Sequence, residues 1–91
     1  MTQRDFVNQI SAATGLPKVK VDQILDLFLA ELADALARDH RVFIRNFGTF
    51  RTVDLDARTG RNPRTGDPVG IPASRHVRFR AGKGLRDKLN P

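Results

Sequence analysis

The feature that most constrains this chain is a change in the spacing of its apolar residues after Asp39-His40. Before this point they recur every three to four residues, which is typical of one face of an amphipathic helix. After it the period falls to two. Val42 and Ile44 alternate with Phe43 and Arg45, as residues that face opposite sides of a strand do. Helices followed by strands, rather than alternating with them, predict an α+β fold. The helical series consists of Val21, Ile24, Leu25, Phe28, Leu29, Leu32 and Leu36.

Two helices are predicted before the change of period. The first covers about residues 3–14, since Thr2 and Asp5 have the spacing of a capping box and Gly15 is a typical stop residue. The second covers residues 18–38, with Pro17 suited to its first turn because proline has no N–H to leave unpaired there. A Gly-Leu-Pro turn joins the two helices, so the first part of the chain is predicted to be a helical hairpin.

The strand region contains a long stretch with few apolar residues. A tight turn is predicted at Asn46-Phe47-Gly48, a strand continues to Leu55, and residues 58–68 are mostly turn-forming. Alternation returns from Val69 to Phe79, and a short helix follows. Two strands of about ten residues, roughly 33 Å each at about 3.3 Å per residue, would then meet near residues 60–66. This pattern predicts a projecting two-stranded arm, with a disordered basic loop as the alternative.

The length of the chain limits how it is stabilised. Its 91 residues and 10.2 kDa fit one domain or one half of an intertwined dimer. A chain this short buries little more than half of its unfolded surface, and it has no cysteine for disulfides or zinc. Oligomerisation is therefore the expected stabiliser. There is no transmembrane-length apolar run and no signal-peptide pattern, so we expect a cytoplasmic protein that does not associate with membranes.

The net charge of +6 lies entirely in the second part of the chain. Residues 1–50 carry six basic and six acidic side chains, whereas residues 51–91 carry ten basic and four acidic ones. Twelve of the sixteen basic residues are arginine, whose planar guanidinium suits bidentate contact with phosphate. A neutral part joined to a basic part predicts a scaffold that carries an anion-binding surface, with a merely solvated basic surface as the alternative.

Four motifs, in order and at matching spacing, resemble the HU/IHF family of bacterial histone-like, DNA-bending proteins. The resemblance covers essentially the whole chain, and the third motif is more similar to HU than to IHF. The motifs are Asn46-Phe-Gly-Thr-Phe50, Gly60-Arg-Asn-Pro63 with Thr65-Gly66, Ile71-Pro-Ala-Ser74, and Phe79-x-Ala-Gly-Lys83-x-Leu85.

The resemblance implies that two chains, most simply a homodimer, intertwine into a helical body with a three-stranded antiparallel sheet. In each chain this sheet extends into a β-ribbon arm that follows the minor groove. Residues 1–91 would form a single domain, with body segments at 1–52, the arm at 53–75, and the return strand and last helix at 76–91. Such a protein binds double-stranded DNA with little sequence preference, and bends and compacts it in a bacterial nucleoid or a phage genome. It is not an enzyme, and no cofactor or metal is implied.

The resemblance also assigns roles to individual residues. Pro63, at the tip, is expected to intercalate at a base step and kink the duplex, although proline in Asn62-Pro63 would also suit a simple turn. Phe47, Phe50 and Phe79 are expected in the dimer core. The expected DNA-binding residues are Arg58, Arg61, Asn62, Pro63, Arg64, Arg75, Arg78, Arg80, Lys83 and Arg86.

The chain departs from the family pattern at the base of the arm. Val53 and Leu55 stand where many HU arms carry basic residues, and Asp54 and Asp56 lie beside them. Gln3 replaces a residue that is often lysine. We therefore expect DNA binding to depend more on the tip and the return strand than on the base of the arm.

Four alternatives remain from the sequence. One is an IHF-like accessory factor that prefers particular sites. Another is a basic RNA-binding protein, and RNA could also be a secondary ligand of an HU-like protein. The two least favoured are an acid–base nuclease that uses His40 and His76, because no carboxylate cluster or phosphate loop accompanies these histidines, and a purely structural protein, because it would leave the uneven net charge of +6 unexplained.

Overall fold

A computed structural model describes residues 1–91 and contains three helices and five strands. The order of elements is the predicted one, with a helical hairpin before the strands and a short helix at the end. This confirms the α+β class. The elements are α1 (Gln3–Thr14), α2 (Lys18–Asp39), β1 (Arg41–Ile44), β2 (Gly48–Leu55), β3 (Arg58–Arg61), β4 (Pro68–Ile71), β5 (Ser74–Ala81) and α3 (Lys83–Leu89).

The ends of the first two helices follow from their local sequence. At the start of α1 the Asp5 carboxylate accepts a hydrogen bond from the Thr2 N–H at 2.8 Å. At its end Gly15 adopts a left-handed conformation with φ 78°, and its N–H donates to the Ser11 carbonyl at 2.9 Å. Pro17 lies just before α2, where its carbonyl accepts the Val21 N–H at 3.1 Å. Proline thus precedes the helix rather than occupying its first turn.

A three-stranded antiparallel sheet has the order β1-β2-β5. The β1–β2 turn places Asn46 at φ 61°, and the Phe47 N–H donates to the Ile44 carbonyl at 3.0 Å. Asparagine tolerates this left-handed backbone better than most residues. Gly48, which follows the turn, packs against β5 so closely that a Cβ atom there would lie 2.5 Å from the Arg80 carbonyl oxygen.

The predicted arm is present, but its ladder is interrupted. The pairing of β2 with β5 ends at Leu55 opposite Ser74, and a separate two-stranded ladder of β3 with β4 begins at Arg58 opposite Ile71. Residues 56–57 and 72–73 separate the two ladders. Pro72 lies in this break, where a residue without an N–H cannot donate to a ladder. The strands are therefore two short segments rather than ten continuous residues.

Few side chains are buried within one chain. Val7 and Val21 are the only hydrophobic residues that are buried, at 5% and 3% exposure.

The chain comprises two compact units, Met1–Ala35 and Leu36–Pro91. The division into body, arm and return segments made from the sequence stays a prediction. None of the helices combines the length and the hydrophobicity needed to cross a membrane.

Candidate nucleic-acid interface

The tip of the ribbon is a turn closed by backbone hydrogen bonds around Asn62. The Asn62 N–H donates to the Asp67 carbonyl at 2.8 Å, and the Gly66 N–H donates to the Asn62 carbonyl at 2.7 Å. The Asn62 side-chain oxygen accepts the Arg64 N–H at 2.9 Å. Pro63 takes part in none of these bonds and its ring is exposed. The turn therefore presents a rigid apolar ring to solvent.

Three of the expected DNA-binding arginines lie on the ribbon, two of them at its tip. Arg61 ends β3, and its Nη1 donates to the Gly66 carbonyl at 3.0 Å. Arg64 lies in the turn, and Arg58 lies at the other end of β3, opposite Ile71. All three side chains are exposed. Because arginine remains protonated at any physiological pH, the tip combines an apolar ring with neighbouring permanent positive charges.

A second group of arginines lies on one face of the three-stranded sheet. Arg41 on β1 is opposite Arg51 on β2, and Arg51 is opposite Arg78 on β5. Residues directly opposite each other point to the same side of a sheet, as do residues two positions apart along a strand. Arg80 therefore shares this face.

These arginines border a shallow depression of about 630 Å³, to which Arg86 of α3 also contributes. All of them are exposed, and none makes an ion pair within the chain. Arg78, Arg80 and Arg86 were expected from the sequence, but Arg41 and Arg51 were not. The turn centred on Asn46 was a signal for these two, since it places residue 51 opposite residue 41.

Arg75 is separated from the other expected arginines of β5. It is opposite Asp54, on the face of the sheet that carries Phe50 and Phe79, and its Nε donates to Asp54 Oδ1 at 2.8 Å. The hydrogen bond from Arg75 and its positive charge lower the pKa of the Asp54 carboxyl below its ordinary value. Binding of a phosphate by Arg75 would therefore require exchange with a carboxylate.

Lys83 is also engaged by a carboxylate. On the first turn of α3 its Nζ lies 2.7 Å from Asp87 Oδ2, four residues further along the helix. Both side chains are largely exposed, at 84% and 63%, and exposed pairs of this kind are weak and screened by salt. Lys83 is thus available to another anion at little cost, whereas Arg86 has no carboxylate partner at all.

Phe47, Phe50 and Phe79 come together in the structure. Their ring centroids lie 4.7 to 6.5 Å apart, the shortest distance being that between Phe50 and Phe79, which are opposite each other on β2 and β5. Phe47 and Phe79 nevertheless remain 43% and 42% exposed. This aromatic cluster lies on the face opposite the arginines, and its role in a dimer core stays a prediction.

The two histidines do not form a catalytic pair. His40 Nδ1 lies 2.7 Å from the Thr52 hydroxyl, whereas His76 lies opposite Val53 and shares a hydrogen bond of 2.9 Å with the Ser74 hydroxyl. Thr52 and Val53 are consecutive strand residues and point to opposite faces. No group of three or more His, Cys, Asp or Glu side chains is placed to hold a metal ion.

Comparison with known proteins gives one family over the whole chain. Residues 1–90 match the family model described as bacterial DNA-binding protein. The chain is 40% identical over 89 residues to DNA-binding protein HU of Thermus thermophilus, covering 98% of this chain and 92% of the relative. It is 37% identical over 90 residues to DNA-binding protein HU-beta of Pseudomonas aeruginosa, covering 99% and 100%.

A solved structure gives the same correspondence in three dimensions. The chain superposes on a chain of the Anabaena HU–DNA cocrystal structure with a TM-score of 0.90 at 32% identity. The match covers 100% of this chain and 99% of the other. The ribbon and its tip are thus included in the correspondence.

Proposed function

The chain belongs to the bacterial DNA-binding protein family, in which its relatives are HU proteins, and from this we propose that it is a histone-like architectural protein. It binds double-stranded DNA largely without sequence preference, and it bends and compacts that DNA as a homodimer. It acts as a binding protein and not as an enzyme. We place it on the bacterial nucleoid, in the cytoplasm.

The observation that carries this proposal is the full-length superposition on an HU chain that was crystallised with DNA. The site agrees with it chemically, because exposed arginines cover the ribbon tip and one face of the sheet. Contacts from arginine and lysine to phosphates carry no sequence information. They make affinity depend steeply on salt, with log K falling by about 0.9 per log unit of salt for each phosphate neutralised.

Within this function, the ribbon arm enters the minor groove, and Pro63 is the apolar side chain that inserts between neighbouring base pairs. An apolar side chain inserted between base pairs unstacks them, and such wedges kink DNA by roughly 20–90°, a range that describes this class of proteins, HU included, rather than this chain. Exposure of the Pro63 ring and its absence from the hydrogen bonds of the turn support this role. The proposed phosphate and groove ligands are Arg58, Arg61, Asn62, Arg64, Arg75, Arg78, Arg80, Lys83 and Arg86.

Exposed apolar surface supports the homodimer. Phe6, Ile24, Phe28 and Leu29 on the two long helices are each about half exposed in the single chain. Apolar surface this extensive marks an interface, and a chain of this size needs further burial for stability. In the sheet region, Phe47 and Phe79 of the aromatic cluster are likewise 43% and 42% exposed.

The alternatives are not favoured. The relatives are HU proteins, so a site-preferring factor of the IHF type lacks support, and RNA remains at most a secondary ligand. A salt titration on a short duplex with a dye at each end tests the proposal, because it measures affinity and end-to-end distance together. Binding that weakens with salt and shortens the distance is expected. Failure to bind duplex DNA at low salt would refute the proposed function.

A further inference from the structure

The tip of the ribbon carries one negative charge, that of Asp67. This residue lies directly across the ribbon from Asn62, whose N–H donates to the Asp67 carbonyl at 2.8 Å. That bond continues by one step the pairing of Arg61 with Pro68. Residues directly opposite each other point to the same side of a ladder. Asp67 therefore lies on the side of the ribbon that presents Asn62, one of the proposed groove ligands and the neighbour of Pro63.

The carboxylate of Asp67 is free of partners within the chain. The residue is exposed, and the two ion pairs of the structure use Asp54 and Asp87 instead. Asp67 takes part in the turn only through its backbone, since its N–H donates to the Thr65 hydroxyl at 3.3 Å and its carbonyl accepts the bond from Asn62. The fold of the turn therefore does not need this charge. Near phosphates the same charge opposes binding, so it favours DNA only where a hydrogen-bond donor meets it.

The minor groove offers such a donor at only one kind of base pair. An A·T pair presents acceptors alone in this groove, whereas a G·C pair adds the N2 amino group of guanine, which donates. An ionised carboxylate can only accept hydrogen bonds. It is therefore repelled by the groove edge of A·T and can be bound by that of G·C. Arg61 and Arg64 do not discriminate in this way, because a guanidinium donates to acceptors that both kinds of pair present.

We propose that Asp67 gives the ribbon tip a preference for G·C pairs, by accepting a hydrogen bond from the N2 amino group of guanine beside the step that Pro63 enters. Opposite Cβ atoms on a ladder lie about 4.5–5.5 Å apart, and base pairs rise by about 3.4 Å. The pair that Asp67 contacts is thus one or two steps from the pair at Asn62.

This inference rests on the proposed function and adds to it a base preference at the tip. One hydrogen bond contributes a factor of about five to affinity. Contacts to phosphates carry no sequence information, so binding as a whole stays largely non-specific. The preference biases where an arm inserts and does not define a recognition site.

The test measures binding to four duplexes of equal length and alternating sequence, built from G·C, inosine·C, A·T or 2,6-diaminopurine·T pairs. Inosine lacks the N2 amino group of guanine, and diaminopurine adds this group to adenine. An alternating sequence presents equivalent sites along its whole length to a protein that slides. The unchanged protein is expected to bind the two duplexes that carry the amino group about fivefold more tightly for each arm engaged. Asp67→Asn is expected to lose this preference, because an amide both donates and accepts.

Asp56→Asn is the matched control, since it removes the same charge from an exposed, unpaired carboxylate at the base of the arm. It is expected to raise affinity for all four duplexes by the same factor and to keep the preference. The amino group also changes how easily a duplex bends, but it does so equally for every protein tested. Comparing the variants on the same duplexes therefore isolates Asp67, and a change in the folded fraction of a variant cancels in the ratio between duplexes.

Two results would overturn the proposal while leaving the proposed function intact. One is an equal preference in Asp67→Asn and the unchanged protein. The other is an unchanged protein that has no preference, or that prefers the duplexes without the amino group. Failure of the unchanged protein to bind any of the four duplexes would instead refute the proposed function itself.

Discussion

At the scale of single residues, neighbouring side chains decide which of the many charged and apolar groups are available to a ligand. Pro63 is exposed because the turn is closed entirely by the bonds of Asn62, Gly66 and their partners. Arg75 is occupied because the residue opposite it on β2 is Asp54. The sequence placed both residues in the DNA-binding set, and only their surroundings distinguish a free group from an engaged one.

Pro63→Ala is expected to remove most of the bending while retaining most of the affinity. Alanine fits the turn, whose hydrogen bonds do not involve residue 63, but it lacks the rigid ring that unstacks a base step. The change in end-to-end distance of a doubly labelled duplex measures the bend, and the salt slope is expected to stay within about 0.5 of its original value because no phosphate contact is lost. Pro72→Ala, in the ladder break, is the matched control. Normal bending by the Pro63 variant would make this proline a turn residue only.

Asp54→Asn is expected to raise DNA affinity and steepen the salt slope more than Asp56→Asn does. Both substitutions remove one negative charge from the arm base, but only the first also releases Arg75, which adds about 0.9 to the slope if its guanidinium reaches a phosphate. Equal slopes for the two variants would show that Arg75 lies away from the DNA backbone.

The pH dependence of this pair has a definite sign. Arg75 lowers the pKa of Asp54 below its ordinary value of 3.8, so the ion pair is intact above pH 3.8 and is lost as the pH falls through the lowered pKa. The difference in salt slope between Asp54→Asn and Asp56→Asn is therefore expected to stay constant from about pH 5 to about pH 8. The same salt titration, repeated at each pH, measures it.

At the scale of elements, the short turn between β1 and β2 determines where the charges of the sheet lie. Asn46 takes the left-handed conformation at the turn, and pairing outwards from it aligns Arg41 with Arg51. The close approach of Gly48 to β5 then brings Arg78 into the same row. The alignment of Arg41, Arg51 and Arg78 thus depends on one turn and one glycine.

Gly48→Ala is expected to destabilise the protein by about 1–3 kcal/mol, the usual cost of overpacking. The added Cβ would lie 2.5 Å from the Arg80 carbonyl oxygen and 2.6 Å from the Phe79 ring, so backbone must move. Gly70→Ala on β4 is the control, because a Cβ there meets nothing within 4 Å, and its effect is expected within about 0.5 kcal/mol. Chemical denaturation of both variants measures the difference, and equal stabilities would contradict the close packing of β2 on β5.

At the scale of the whole molecule, one chain does not bury enough apolar surface to account for a stable fold. Val7 and Val21 are its only buried hydrophobic residues, while sixteen large hydrophobic side chains are exposed. The proposed homodimer supplies the missing burial. On the three-stranded sheet, Phe50 and Phe79 point to one face while Arg51, Arg78 and Arg80 point to the other, so burial of the aromatic rings leaves these three arginines exposed.

The melting temperature is expected to rise with protein concentration, because dissociation accompanies the unfolding of an obligate dimer. Calorimetry over a hundredfold range of concentration measures this, and sedimentation is expected to give about twice the 10.2 kDa mass of the chain. A melting temperature independent of concentration together with a monomer mass would contradict the homodimer.

The sequence by itself determined the helices, the turn between β1 and β2 and the anionic character of the ligand. Apolar periodicity, capping residues and turn formers act over a few neighbouring residues, so the bounds of α1 and the turn at Asn46 could be predicted, and the charge division pointed to an anionic partner. Tertiary structure alone decided which of the charged side chains lie next to each other. The alignment of Arg78 with Arg51, the pairing of Arg75 with Asp54 and the break in the arm depend on the register of β2 with β5. That register is a long-range property, because it joins residues 19 to 33 positions apart and no local spacing specifies it.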